Sequence, residues 1–308
     1  MPGREPAVFP LIPRRRVEGA PFGERASVRR GRGSDVAGSR PYVPGDPVAT
    51  IDWYASARLS SARASEEFLV RERYADEAPH VLVVWDRRPA MALYGEDLPW
   101  LSKPRAAASA LRAIAASARA ARAELGYLDL AGGHAFWRAP GRRGEYRLVE
   151  KRAEGARFDA PAAGTERALR FLLGRRAALP PGSFVFVLSD FLVPPSRETW
   201  RRLRALRWDV VPVVIQDPLW EQSFPVLPGV VVPVADPETG RVQEVRLGRR
   251  DSEALRDRHE RRLKRLLGSL RRFGHDPVLI GSDEPREVVS AFLAWAACRQ
   301  HVRRARWT

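Results

Sequence analysis

The 308 residues carry 44% hydrophobic and 29% charged side chains, enough apolar material for a full α/β core and too much for a disordered chain. Lys and Arg outnumber Asp and Glu by 53 to 37, a formal charge of +16, but the arginines are dispersed among acids, so the excess argues for general adhesion to polyanions or an anionic membrane and does not define a nucleic-acid site. The single cysteine, Cys298, excludes a disulfide framework and a cysteine zinc cluster, and no stretch reaches the ~20 apolar residues of a membrane-spanning helix, so a soluble, cytoplasmic protein is expected, with peripheral membrane contact as the alternative.

In chain order, residues 1–24 form a Pro/Arg-rich leader, with Pro2, Pro6, Pro10 and Pro13, that reads as a loose arm or an extended strap. Residues 25–78 are short, turn-punctuated pieces: Pro44-Gly45-Asp46 has tight-turn chemistry, 51–58 reads as a helical turn and 68–74 as a strand, together a small β-rich subdomain. From 79 to 308 strands and helices alternate. The run 81–85 is a fully buried strand that delivers Asp86 to the carboxyl edge of a sheet, and 184–189 repeats the plan with Asp190. Ser102 and Pro104 open a helix expected to stop at Gly126, followed by a strand pair, 127–130 and 135–138, around Gly132-Gly133. Helices are expected at 165–176, 196–207, 252–273 and 285–300, with strands at 209–215 and 278–280. Runs 230–234 and 242–247 flank Asp236-Pro237-Glu238-Thr239-Gly240 and read as a hairpin inserted at about 226–250. In the long charged helix, Leu255, Leu263, Leu266, Leu267 and Leu270 recur at helical spacing and are expected to form one buried stripe. This alternation demands a doubly wound, mainly parallel sheet, with Asp86 and Asp190 on neighbouring strands where open α/β sheets keep their sites.

Gly33-Ser34-Asp35, Arg40, Tyr42-Val43-Pro44-Gly45-Asp46 and Ile51-Asp52-Trp53-Tyr54-Ala55-Ser56-Ala57-Arg58, followed by Gln216-Asp217-Pro218-Leu219 and Asp236 to Gly240, resemble the signature of the bacterial family called Domain of Unknown Function 58. The resemblance spans about residues 25 to 300. It implies a von Willebrand factor A-like (Rossmann-like) domain and a chaperone-like, non-enzymatic adaptor role beside a MoxR-type AAA+ ATPase acting on a client protein. Many relatives carry transmembrane helices before the signature, whereas only the short leader precedes it here.

The resemblance also implies a metal-ion-dependent adhesion site. Asp86 matches its first acid, Thr165 its threonine and Asp190 its last acid, but its two serine positions are Arg88 and Ala90. Magnesium wants a shell of oxygens; alanine supplies none and arginine supplies a cation that can pair with both acids. A degenerate, metal-free site with no cofactor is therefore expected, the alternative being a residual magnesium site completed by water. Arg40, Asp46, Asp52, Arg58, Glu67 and Arg71 read either as an ion-pair network fastening the subdomain or, with Tyr42, Gly45 and Trp53, as a docking surface. The five histidines show no paired metal spacing, and there is neither a P-loop nor a nucleophile elbow. The alternatives are an electrostatic binder of nucleic acid or anionic membrane, with nucleic acid the weaker, and a metal-dependent hydrolase using Asp86 and Asp190.

Overall fold

The computed structural model describes residues 8–14, 36–42, 48, 51–63, 68–73, 79–93, 100–141, 145–155, 157–227, 229–236, 239 and 241–304. Two compact units emerge, Arg15–Pro79 and a larger one that joins Met1–Arg14 to His80–Thr308.

In the smaller unit, β1 (Val36–Pro41) pairs antiparallel with β2 (Leu69–Arg73), and α1 (Trp53–Arg63) lies between them in sequence. Asp52 opens α1 by accepting from Ala55 N at 3.1 Å, an N-cap, and Asp52 N donates to Leu69 O at 2.8 Å. Ser56 Oγ accepts from Leu69 N at 2.8 Å and donates to Asp52 O at 2.7 Å, so the helix start is tied to β2.

The larger unit is α/β with a mostly parallel sheet. Its strands are β3 (His80–Trp85), β4 (Glu124–Asp129), β5 (Phe136–Gly141), β6 (Phe184–Ser189), β7 (Asp209–Ile215) and β10 (Val278–Ile280). They stand in the order β10-β7-β6-β3-β4-β5, all neighbours parallel except β4 with β5. Helices cover both faces. On one, Leu82, Val84, Val185 and Val187 pack against Leu169 and Leu172 of α4 (Gly164–Gly174), Leu203 of α5 (Arg197–Ala205) and Leu270 of α6 (Arg249–Arg272). On the other lie α2 (Lys103–Ala120) and α7 (Pro285–Arg304), with Phe186 meeting Phe292 and Trp295 edge-on or tilted at 6.2 and 6.1 Å. Burial on both faces is why these strands are uninterrupted Val, Leu and Phe.

Several expectations are corrected. The leader divides after Arg14: Phe9 is buried, stacks on Phe292 at 4.4 Å and donates its N–H to Ser117 Oγ at 2.9 Å, while Ile12 O accepts from Arg299 Nη1 at 2.9 Å. Burying a phenylalanine contributes about 2–3 kcal/mol, which favours the strap over a loose arm. The second helix ends at Ala120, and Gly126 sits inside β4. A Cβ there would meet Pro140 N at 2.7 Å and Arg138 O at 2.8 Å, so the glycine admits the β5 backbone instead of stopping a helix. Residues 145–154, left unassigned by periodicity, form α3 (Glu145–Glu154). In α6 only Leu270 of the expected stripe is fully buried; Leu266 and Leu267 pack at its margin, and Leu255 and Leu263 are half-exposed. The hairpin forms as β8 (Val230–Ala235) with β9 (Val242–Leu247), in antiparallel register Val230 to Leu247. Among the described residues no helix is long and apolar enough to cross a membrane.

Candidate functional site

From β3 the chain moves to β4 on one side and later returns through β6 on the other. Strand order therefore reverses between β3 and β6, and Asp86 and Asp190 follow these two strands directly. Both carboxylates are buried at this reversal point.

Arg88 fills the space between them. Its Nε lies 3.1 and 3.0 Å from Asp86 Oδ1 and Oδ2; its Nη2 donates to Asp86 Oδ2 at 2.6 Å and to Asp190 Oδ1 at 2.8 Å. Ser189 Oγ donates to Asp86 Oδ2 at 2.7 Å, and Leu192 N donates to Asp190 Oδ1 at 3.0 Å. Burial works against the guanidinium charge, but Asp86 and Asp190 outweigh it and raise the Arg88 pKa.

A second cation completes the cluster. Lys103, the first residue of α2 and fully buried, donates from Nζ to Asp190 Oδ2 at 3.2 Å and to Ala90 O at 3.1 Å, and pairs with Glu221. Burial alone would push the Asp190 carboxyl up; Lys103 and Arg88 together hold it below the usual carboxylate range. For Glu221 the balance reverses, and burial outweighs Lys103 to push it up. Glu221 sits on the π-helical turn Pro218–Gln222, whose cap Asp217 accepts from Leu219 N and Trp220 N, both at 2.8 Å, and from Leu101 N at 2.8 Å. Gln216 Nε2 donates to Asp190 O. The Gln216-Asp217-Pro218-Leu219 segment is thus the frame that delivers Glu221 to Lys103.

Thr165 is buried at the start of α4, and its hydroxyl has no hydrogen-bond partner among the described residues. The preceding Gly164 backs the Arg88 stem: a Cβ there would stand 3.2 Å from Arg88 Cγ. Ala90 is buried and contributes only its carbonyl, to Lys103. The magnesium arrangement implied by the resemblance does not fit this donor set. The carboxylate oxygens are held by Arg88, Lys103, Ser189 and Leu192, and of the oxygens implied for the ion only the Thr165 hydroxyl stands unpartnered among the described residues.

Arg87 turns the other way. Its guanidinium lies 3.5 Å from the Trp85 ring centre and donates to Tyr127 OH at 2.9 Å, while Tyr127 OH donates to Asp129 Oδ2 at 2.9 Å. Arg152 closes this second network on Asp129 at 3.1 and 3.0 Å. Burial pushes the Tyr127 hydroxyl pKa well up, so it remains a neutral donor.

Among the signature residues, Arg40 stands opposite Val70 and Arg71 opposite Ser39 in the β1–β2 register, and Tyr42 N donates to Phe68 O at 2.8 Å. Gly45, Asp46 and Glu67 lie outside the described residues. Trp53 is 59% exposed, Tyr54 73% and Phe68 44%; Trp53 and Phe68 meet edge-on at 5.8 Å, and Arg58 lies 5.9 Å from the Tyr54 ring centre. Sequence reasoning missed Lys103, Glu221, Ser189 and the Arg87–Asp129 pair. The signal available was the second half of the Gln216 segment, which continues through Trp220 into Glu221.

The fold and site define an α/β protein with a buried, internally neutralised acid pair at the strand-order reversal of a mostly parallel sheet. The chain belongs to the family described as "Protein of unknown function DUF58", which matches residues 38–266. It is 28% identical over 250 residues to uncharacterized proteins of Mycobacterium tuberculosis and Mycobacterium bovis, covering 80% of this chain and 73% of theirs. Among solved structures it is similar to the conserved hypothetical protein BatB of Bacteroides thetaiotaomicron, at 13% identity and a TM-score of 0.41, over 71% of this chain and 100% of that one. An aerotolerance-related membrane protein of Bacteroides fragilis matches at 12% identity and a TM-score of 0.40, over 72% and 100%.

Proposed function

We propose that the protein is a non-enzymatic interaction adaptor of von Willebrand A-like type that works with a MoxR-type AAA+ ATPase on a client protein, in the cytoplasm or at the membrane periphery. The partner class comes from the family resemblance. The observation that carries the interaction reading is the exposure of Trp53 and Tyr54 of the family signature, with the exposed Phe68 edge-on to Trp53. Large aromatics left in water at neighbouring positions are the residues that dominate protein interfaces. The acid pair supports the non-enzymatic half of the proposal. With Arg88 and Lys103 on Asp86 and Asp190, neither acid is free to hold a metal or to act as a base, so a metal-dependent hydrolase finds no support in these residues and no cofactor is assigned.

Affinity purification of the tagged protein from its native cells tests both parts. Recovery of an AAA+ ATPase is expected with the unmodified chain and should drop at least about tenfold in a Trp53→Ala/Tyr54→Ala variant, the loss of two interface anchors. Failure to recover any such ATPase would remove the partner assignment. Equal recovery by the double variant would move the docking surface elsewhere.

A further inference from the structure

Where the chain enters β10, a cavity of about 490 Å³ opens against α7. Its apolar walls are Val278 and Leu279 from the strand and Ala291, Ala294 and Trp295 from the helix. The small side chains Ala291 and Ala294 leave the room, and the volume falls in the range of small-molecule sites, roughly 300–1,000 Å³.

Charge at the rim is unbalanced. Arg299 is fully committed: it grips Asp209 with Nη1 and Nη2 at 2.8 and 2.9 Å and donates from Nε to Asp276 Oδ2 at 3.0 Å. The same Asp276 oxygen is 3.5 Å from Arg14 Nε, so one carboxylate oxygen serves two guanidinium groups. Arg14 lines the rim, with its side chain about a third exposed. Arg271, at the end of α6, also lines the rim and has no acid partner among the described residues. Arg14 and Arg271 share the rim with the single carboxylate of Asp276, which Arg299 also engages, so an anion there gains charge-assisted hydrogen bonds.

We propose that this cavity binds a small aliphatic carboxylate, its tail along Val278, Leu279, Ala294 and Trp295 and its carboxylate accepting from Arg14 and Arg271. A neutral ligand would leave the positive charge of Arg14 and Arg271 at the rim uncompensated, and inorganic phosphate would leave the apolar walls wet. This site is independent of the acid pair and of the ATPase proposal.

The chain's only cysteine, Cys298, lines the cavity and is exposed, so its alkylation by a neutral maleimide reports on this place alone. Decanoate below its micellar concentration is expected to slow that alkylation saturably. Decanol, which lacks the charge, and acetate, which lacks the tail, should protect weakly or not at all. Arg271→Ala should weaken decanoate binding by about tenfold, the loss of one charge-assisted hydrogen bond. Ala294→Trp, at an exposed position, should abolish the calorimetric signal of decanoate binding with its circular dichroism unchanged. Absence of protection by decanoate would overturn the proposal. Equal protection by decanol would overturn it too, as would binding heat that survives Ala294→Trp.

Discussion

Arg88 Nη2 bridges Asp86 Oδ2 at 2.6 Å and Asp190 Oδ1 at 2.8 Å, tying together the ends of two parallel strands more than a hundred positions apart. A guanidinium fork holds both acids where a divalent cation would otherwise be required, because its planar donors match two carboxylates at once. Millimolar magnesium or a chelator is therefore expected to leave the thermal midpoint unchanged relative to ionic-strength controls. Replacing Arg88 and Ala90 by serine restores two hydroxyl ligands but leaves Lys103 on Asp190. Like-charge repulsion at about 4 Å is worth about 4 kcal/mol at an effective dielectric of 20. Magnesium-dependent stabilisation should thus be weak in the double variant and should become distinct only when Lys103→Gln is added. A magnesium-induced rise in the midpoint of the unmodified protein would show that Arg88 does not occupy the site in solution.

Lys103 links Asp190 to Glu221, and its removal leaves Glu221 without its cation and Asp190 with Arg88 alone. Lys103→Met should destabilise by about 3–5 kcal/mol, the range for breaking a buried pair from one side. Adding Glu221→Leu should recover part of that loss, since one stranded carboxylate disappears while Asp190 retains Arg88. Urea unfolding of the four proteins in this cycle measures the coupling. Additive losses would mean that Lys103 and Glu221 do not share a charge in the folded protein.

The acid pair was legible because each aspartate ends an uninterrupted apolar run, a pattern that fixes both the strand and the edge on which its acid emerges. Parallel pairing of the strands ending at Asp86 and Asp190 followed from run order. Lys103 was not legible. A lysine at the start of an alanine-rich helix ordinarily reads as a solvated residue, and its burial depends on Asp190 and Glu221 arriving from distant parts of the chain. Gly126 was misread for a related reason. Glycine stops helices and also admits close backbones, and only the approach of Pro140 decides between the two. The π-helical turn at Pro218–Gln222 likewise has no periodicity of its own and is set by Asp217 capping.

Phe9 carries the leader's attachment, stacked on Phe292 and edge-on to Phe186 at 6.2 Å and Trp295 at 6.0 Å. Phe9→Ala should cost about 3–5 kcal/mol in equilibrium unfolding, as for other buried aromatics. Proteolysis of the variant should then cut within the first residues before the rest of the unit. A loss of less than about 0.5 kcal/mol, the level of a surface substitution, would show that the strap is not docked.

His275 sets a pH window. It is buried 5.0 Å from the Trp200 ring centre, its Nε2 has no partner among the described residues, and burial lowers its pKa from 6.5 to about 4. In the unfolded chain the imidazole takes up a proton below about pH 6.5, whereas in the folded protein it does so only below about pH 4. Between those values the unfolded state binds more protons, so stability is full above the upper value and falls as the pH is lowered toward the lower one. A displacement of this size corresponds to about 3 kcal/mol. Asp190, held below the usual carboxylate range, adds an acid-side loss that begins lower, and Glu221, pushed up, acts in the opposite direction. Comparing the protein with His275→Gln cancels both contributions. The variant should lose the slope between pH 6.5 and 4 while keeping the steeper fall below it, as read by chemical denaturation at half-unit pH steps. Parallel curves for the two proteins across that window would mean that His275 is protonated in the folded state, with Asp209 rather than burial setting its charge.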